Sequence, residues 1–354
     1  MLEGVLEQHE AKRLLGAALA EGPAHAYLFH GPPGVGKRRT ALAFAGELLG
    51  DSGRVERGSH PDLYVLDALG EMIRIDAVRE LRRDLHMRPF EADRRVYLVF
   101  SAQLLNGDAA DALLKDLEEP PAYAVIVLVA DDLGPLPETI RSRCQLVPFR
   151  RLSERAVRAA IDERAPELSP AQATALARVA AGRLDRVERL LDPDGARRRT
   201  SLLGVARSVY ADPAFQAGAA AGRVLELAAE RAQQARELAE QELEGYELPA
   251  REAEQRVKRA ERGAEREEVL EALEELAAWY RDLVVVAAGA ERAVVHYDHL
   301  AELGEDASVE RLAAAERAAE LVRESWRSFE EFNVNPSLAL EGLFVQLRRE
   351  LVPV

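Results

Sequence analysis

Between a short apolar run, Ala26–His30 (AYLFH), and a helical run over residues 39–49 stands Gly31-Pro32-Pro33-Gly34-Val35-Gly36-Lys37-Arg38. The order strand, glycine-rich turn, helix is the setting in which G-x-x-x-x-G-K acts as a phosphate loop. Its glycines let backbone N–H groups curl around anionic oxygens, and the helix N-terminus adds positive potential. This feature constrains the fold most, because a strand feeding a helix through so tight a loop belongs to an α/β module. Three further apolar runs extend the pattern: Leu63–Leu66 (LYVL), residues 96–100 (VYLVF) and residues 125–130 (VIVLVA). They are short and rich in β-branched and aromatic residues, with helical stretches between them over 76–85 and 108–117. Strands alternating with helices predict a parallel sheet covered on both faces.

The loop is defective for phosphoryl transfer. The hydroxyl expected after the lysine, which ligands Mg²⁺, is replaced by Arg38. Thr40 lies two residues on, about 200° around the helix axis, and is no substitute. A carboxylate is also needed at the end of a later strand to hold Mg²⁺ and orient water. The run 96–100 ends instead in Phe100-Ser101, with Asp93 before it and Asp108 beyond it. Phosphoryl transfer rests on positioning, so these joint losses predict a loop that does not hydrolyse ATP. Occupancy by ATP or ADP without a productive Mg²⁺ site stays open, since Lys37 survives and Arg38 can either reinforce phosphate binding or fill the site.

The remainder is helical. Residues 151–199 hold two or three short helices, with Ser153 and Ser169-Pro170 as helix starts and Asp192-Pro193-Asp194-Gly195 as a turn. From residue 200 on, a brief strand is expected only at 293–297, and two long helical runs dominate. Val269, Leu270, Leu273, Leu276, Ala277, Tyr280, Leu283, Val284 and Ala287 form one apolar stripe. Upstream, residues 251–268 carry six acids and six bases. Glu252–Arg256 and Glu254–Lys258 are spaced one turn apart, as on a solvated helix. The predicted organisation is a nucleotide-binding-like α/β domain over 1–150, a small helical lid over 151–199 and an all-α domain over 200–354.

The 354 residues carry a net charge of −15, which excludes a protein that grips nucleic acid by overall attraction. Arg79, Arg82, Arg83 and Lys115 are candidates for a local basic face. The single cysteine, Cys144, excludes an intrachain disulfide and a cysteine-rich zinc site. His296 and His299 are close but lack a third ligand and are expected at the surface or as caps; no metal site is predicted. No run reaches the ~20 apolar residues of a membrane span and no signal-peptide core is visible, so a cytoplasmic protein is expected.

Several motifs occur in the order found in one family: His25-Ala26-Tyr27-Leu28-Phe29 entering the loop, His60-Pro61-Asp62-Leu63, and Ile73-Arg74-Ile75-Asp76 through Leu81. They continue with Arg88-Pro89-Phe90, Ala112-Leu113-Leu114-Lys115-Asp116-Leu117-Glu118-Glu119-Pro120-Pro121, Thr139-Ile140-Arg141-Ser142-Arg143-Cys144 and Asn333-Val334-Asn335-Pro336. The chain resembles the delta-prime subunits of the bacterial replicative clamp loader, AAA+ proteins of the DNA polymerase III holoenzyme, a nucleotidyltransferase complex. The resemblance implies an AAA+ module, a helical lid and a collar in a hetero-pentameric ring with motor (gamma/tau) and delta subunits. It implies that primed DNA is contacted jointly with the ring, and the sliding clamp mainly through other subunits. It also implies that Arg143, flanked by Ser142 and Cys144 in the signature turn, enters the ATP site of a neighbouring motor subunit. Outside the resemblance, Arg143 reads as a structural ion pair. No intrinsic ATPase and no required cofactor are implied. The zinc module that related subunits often carry lacks its cysteines here, over residues 50–60. The alternatives are an active gamma/tau-like motor, which should carry carboxylates at 100–101, and a stand-alone AAA+ regulator.

Overall fold

The computed structural model describes residues 5–67, 72–243, 250–331 and 334–352. Contacts divide the chain into two compact units, Met1–Ala160 with Gly182–Arg186, and Ile161–Ala181 with Val187–Val354. Residues 151–199 contribute to both.

The first unit holds a five-stranded, wholly parallel sheet. Its strands are β1 (Ala26–His30), β2 (Leu63–Leu66), β3 (Arg95–Val99), β4 (Ala124–Ala130) and β5 (Gln145–Pro148), in the order β2-β3-β4-β1-β5. The four strands expected from the apolar runs are present within a residue. β5 was not expected, because Gln145 and Leu146 are exposed on an edge and no apolar run marks it. The helices are α1 (His9–Glu21), α2 (Lys37–Leu49), α3 (Ser52–Glu56), α4 (Ile75–Leu85), α5 (Gly107–Glu118) and α6 (Glu138–Arg141). Strand residues alternate between faces. Tyr27, Phe29, Leu98 and Val127 pack with Leu15 of α1 and Phe44 of α2. Leu28, Tyr97, Ile126 and Leu128 pack with Leu81 and Leu85 of α4 and Leu113 of α5. Both faces are therefore buried, which is why the central strands read as unbroken apolar runs.

The register fixes the site. His30 pairs with Ala130, and Leu66 with Val99. The residues after these strand ends, Gly31, Asp131, Asp67 and Phe100, thus gather along the carboxyl edge of the sheet, where open α/β sheets carry their crevice.

In the second unit the helices continue as α7 (Glu154–Arg164, which starts in the first unit), α8 (Pro170–Val179), α9 (Leu184–Leu191, whose first three residues belong to the first unit), α10 (Pro193–Ala211), α11 (Ala217–Leu243) and α12 (Ala250–Ala287). They end with α13 (Leu300–Asp306), α14 (Val309–Glu331) and α15 (Pro336–Leu351). Ser169 caps α8 in a full capping box, with Pro170 at the first turn. Residues 192–195 form no turn: Asp192 accepts the N–H of Gly195 at 2.9 Å and caps α10, and Pro193 suits its first position. The strand expected at 293–297 is absent; two single-turn helices, Glu291–Ala293 and Tyr297–His299, flank an irregular stretch over 294–296. Leu273, Leu276, Tyr280 and Leu283 of the α12 stripe are buried, with Trp279 between them. On the charged part of α12, Lys258 pairs with Glu254 at 2.6 Å; the Glu252 side chain lies outside those described. Asn335 caps α15 through the Leu338 N–H, and Asn333 lies outside the described residues.

Candidate functional site

The phosphate-loop segment, residues 31–38, leaves β1 and enters α2. Gly31, Gly34 and Gly36 all have positive φ, which L side chains rarely adopt. A Cβ at Gly31 would run into the carbonyl of Phe149, just past the neighbouring β5. One at Gly34 would meet the Asp185 carboxylate, and the Leu184 N–H donates to the Gly34 carbonyl at 2.7 Å. Gln8, which no sequence signal marked, ties the segment from outside. Its amide donates to the Val35 carbonyl at 3.4 Å and to the Arg150 carbonyl at 2.7 Å, while its oxygen accepts the Arg150 N–H at 3.0 Å.

Lys37 is buried and turned back on its own loop. Its ammonium donates to the carbonyls of Gly31 (2.6 Å) and Pro32 and pairs with Asp131 at 2.6 Å. A lysine has three N–H donors, so all three are engaged. Burial lowers the pKa of the amine, and the Asp131 carboxylate partly offsets this.

Arg38 points the other way. Its guanidinium lies over the Phe100 ring, 4.0 Å from the centroid, and pairs with Asp67. The buried Thr40 hydroxyl donates to the Gly36 carbonyl at 2.9 Å, as a helix hydroxyl commonly does. The acids nearest the strand ends are therefore Asp67 and Asp131, not Asp93 or Asp108. Each follows a neighbouring strand, and each is engaged by a basic side chain of the loop. Pro32, Pro33 and Val35 contribute backbone and packing; Val35 is buried. Position 38 thus brings a cation, and the residue after β3 an aromatic ring.

The second candidate cluster is the turn after α6. Arg143 is partly exposed, and its guanidinium lies between Glu118, the last residue of α5, and the Thr139 carbonyl. Nε donates to Glu118 Oε1 at 2.8 Å, Nη2 donates to the same oxygen, and Nη1 donates to Thr139 at 2.8 Å. Ser142 also donates to the Thr139 carbonyl, at 3.2 Å. Arg141 is half-buried, and its Nε has no hydrogen-bond partner among the described residues. Cys144 packs against the sheet core, and burial pushes its thiol up to about 12, far from a nucleophile's range.

Other marked residues are structural. Asp62 of the His60-Pro61-Asp62 motif is buried and accepts the N–H groups of Phe90 (2.6 Å), Glu91 (3.0 Å) and Ala92 (2.9 Å). Burial raises its pKa, but the three donors outweigh it and hold the carboxyl below the usual range. Of the candidate basic face, Arg79 pairs with Asp76 and Arg82 with Asp116, while Arg83 and Lys115 are exposed. The surface placement expected for His296 is overturned. Its ring is fully buried, with Nδ1 2.9 Å from Asp282 and Nε2 3.0 Å from Glu275. Among the described residues, no group of three or more His, Cys, Asp or Glu is placed to hold a metal. No helix among them is long and apolar enough to cross a membrane.

Residues 7–153 match the family described as "DNA polymerase III, delta subunit". DNA polymerase III subunit delta' of Bacillus subtilis is 30% identical over 192 residues, covering 51% of this chain and 58% of that protein. The delta' subunit of Pseudomonas aeruginosa is 38% identical over 136 residues, 34% of this chain and 42% of that one. The tau subunit of Bacillus subtilis is 32% identical over 164 residues, 43% of this chain and 29% of that one. The matches span less than two thirds of each relative. A crystallised gamma subunit-related protein from Thermotoga maritima shares the fold, with a TM-score of 0.50 at 17% identity, over 96% of this chain and 99% of that one. Residues 7–153 are thus similar to subunits of DNA polymerase III, and the fold is that of the gamma subunit-related protein. The matched region is similar to delta' subunits, and tau subunits match it about as well.

Proposed function

We propose that the chain is a non-hydrolysing, delta-prime-type subunit of a replicative clamp loader. It scaffolds a hetero-pentameric ring with gamma/tau motor and delta subunits and supplies Arg143 in trans to the ATP site of a motor neighbour, so that a sliding clamp is loaded on primed DNA. The observation that carries this is the fate of the two loop cations. Lys37 spends its three donors inside the loop, and Arg38 covers the aromatic strand end while pairing with Asp67. A loop so engaged has nothing left with which to place Mg²⁺ or water, and phosphoryl transfer depends on placing them. Arg143 by contrast keeps a partly exposed position in the turn after α6. A guanidinium delivered there neutralises charge on a transferring phosphoryl group, an effect worth roughly 10³–10⁵ in rate.

The test is steady-state ATPase on the purified chain and on the reconstituted ring. The chain alone turns over no ATP. In the ring, Arg143→Ala lowers turnover at least tenfold while the ring still assembles. Motor-level turnover by the chain alone would favour the gamma/tau-like reading instead, and an unchanged ring rate in Arg143→Ala removes the trans role.

A further inference from the structure

We propose that Glu118 is the positioning residue of Arg143, a role that rests on the trans-acting reading of that arginine. Three of the five guanidinium N–H groups are committed: Nε and one on Nη2 to Glu118 Oε1, and one on Nη1 to the Thr139 carbonyl. One N–H therefore remains on each terminal nitrogen. Two donors on adjacent nitrogens are enough to meet two oxygens of a phosphate. The contacts that hold the guanidinium thus fix its rotation without consuming the part that would meet a phosphoryl group.

Glu118 is well anchored for this. It closes α5 beside the buried Leu117, and the chain leaves the helix at Glu119, where Pro120 and Pro121 prevent continuation. Its position is also unfavourable for the helix itself. A carboxylate in the last turn faces the negative end of the macrodipole. Helix stability does not explain an acid there, whereas a guanidinium lying against it does. The two side chains are one third and one half exposed, so the arginine is held yet reachable.

The experiment is ATPase of the reconstituted ring carrying Glu118→Ala, Glu118→Gln, Arg143→Ala or the double substitution, with assembly followed by gel filtration. Glu118→Ala is expected to lower kcat about tenfold with KM changed less than about twofold. That is below the roughly 10²-fold cost of misplacing an acting group by 1 Å. Glu118→Gln, which keeps an acceptor oxygen, restores most of the rate. In the Arg143→Ala background Glu118→Ala has no further effect, because it acts through the arginine. Wild-type or faster turnover in Glu118→Ala, with Arg143→Ala slow, overturns the positioning role and leaves the trans role standing. An additive loss in the double variant, or failure of Glu118→Ala to enter the ring, also overturns it. If Arg143→Ala is itself neutral, the underlying reading falls.

Discussion

His296 offers the sharpest test of the second unit. Its ring nitrogens both face carboxylate oxygens, Asp282 at 2.9 Å and Glu275 at 3.0 Å. Carboxylates only accept, so both nitrogens must donate and the ring is an imidazolium. Around it, Asp282 also accepts the N–H groups of Val295 and His296 and pairs with Arg281 at 3.2 Å. Arg199 bridges Glu275 (3.3 Å) and Asp298 (2.6 Å), and His299 sits 3.8 Å from Asp298. Trp279 packs edge-on at 5.7 Å. Replacing His296 with Leu removes the shared cation and leaves two buried carboxylates facing each other. Breaking a buried pair in this way costs about 3–5 kcal/mol. The lower end applies, because Asp282 keeps its backbone donors and Glu275 keeps Arg199. For a unit of this size about 3 kcal/mol corresponds to a fall in Tm of about 6–12 °C. The readout is tryptophan fluorescence during thermal unfolding, since Trp279 and Trp326 are the chain's two tryptophans and both lie in the second unit.

The pH dependence has a definite sign. Burial lowers the His296 pKa, but the bonds to Asp282 and Glu275 outweigh it, and the folded value is raised above 6.5. The contribution is therefore complete below the unfolded pKa and is lost as pH rises through the folded one. The stability gap between wild type and His296→Leu is largest near pH 6 and shrinks toward pH 9. A gap under about 1 kcal/mol at pH 6, or a gap that grows with pH, refutes the assignment.

Two further outcomes are expected. Asp62→Asn replaces the charged acceptor of three backbone N–H groups, so it should destabilise the first unit by about 1–3 kcal/mol in denaturant titration. Asp62 has a depressed pKa, so its stabilisation is present above the unfolded value of 3.8 and fades as pH falls through the folded one; Asn should remove that part of the acid dependence. Gly31→Ala forces a side chain into positive φ and against the Phe149 carbonyl, and should cost about 2–4 kcal/mol; a melt like wild type would contradict the packing described for β1 and β5.

The strands buried on both faces were legible because each is a short run of apolar, aromatic or β-branched residues, and the loop because its glycines and lysine are close together. β5 was not, since an exposed edge strand carries no such run. The acids that engage the loop were missed for a different reason. Asp67 and Asp131 are distant from Lys37 and Arg38 in sequence, and only the parallel register brings them to the same edge. Asp131-Asp132 directly after a buried strand was the available signal. His296 was misplaced because its partners stand 14 and 21 residues away on α12, beyond any local pattern. The motifs on which the resemblance rests are of two kinds. Asp62 clamps a turn, whereas Arg143 lies at the surface.

The stacking of Arg38 on Phe100 has a consequence for how this loop can change. Replacing the arginine with a hydroxyl residue would bare an aromatic face and deprive Asp67 of its counter-charge, while an acid at position 100 would only gain a salt bridge to the arginine already there. Neither substitution alone makes this edge able to hold a metal ion unless the other accompanies it. The two positions are therefore coupled: a change at either one alone leaves the other without its partner.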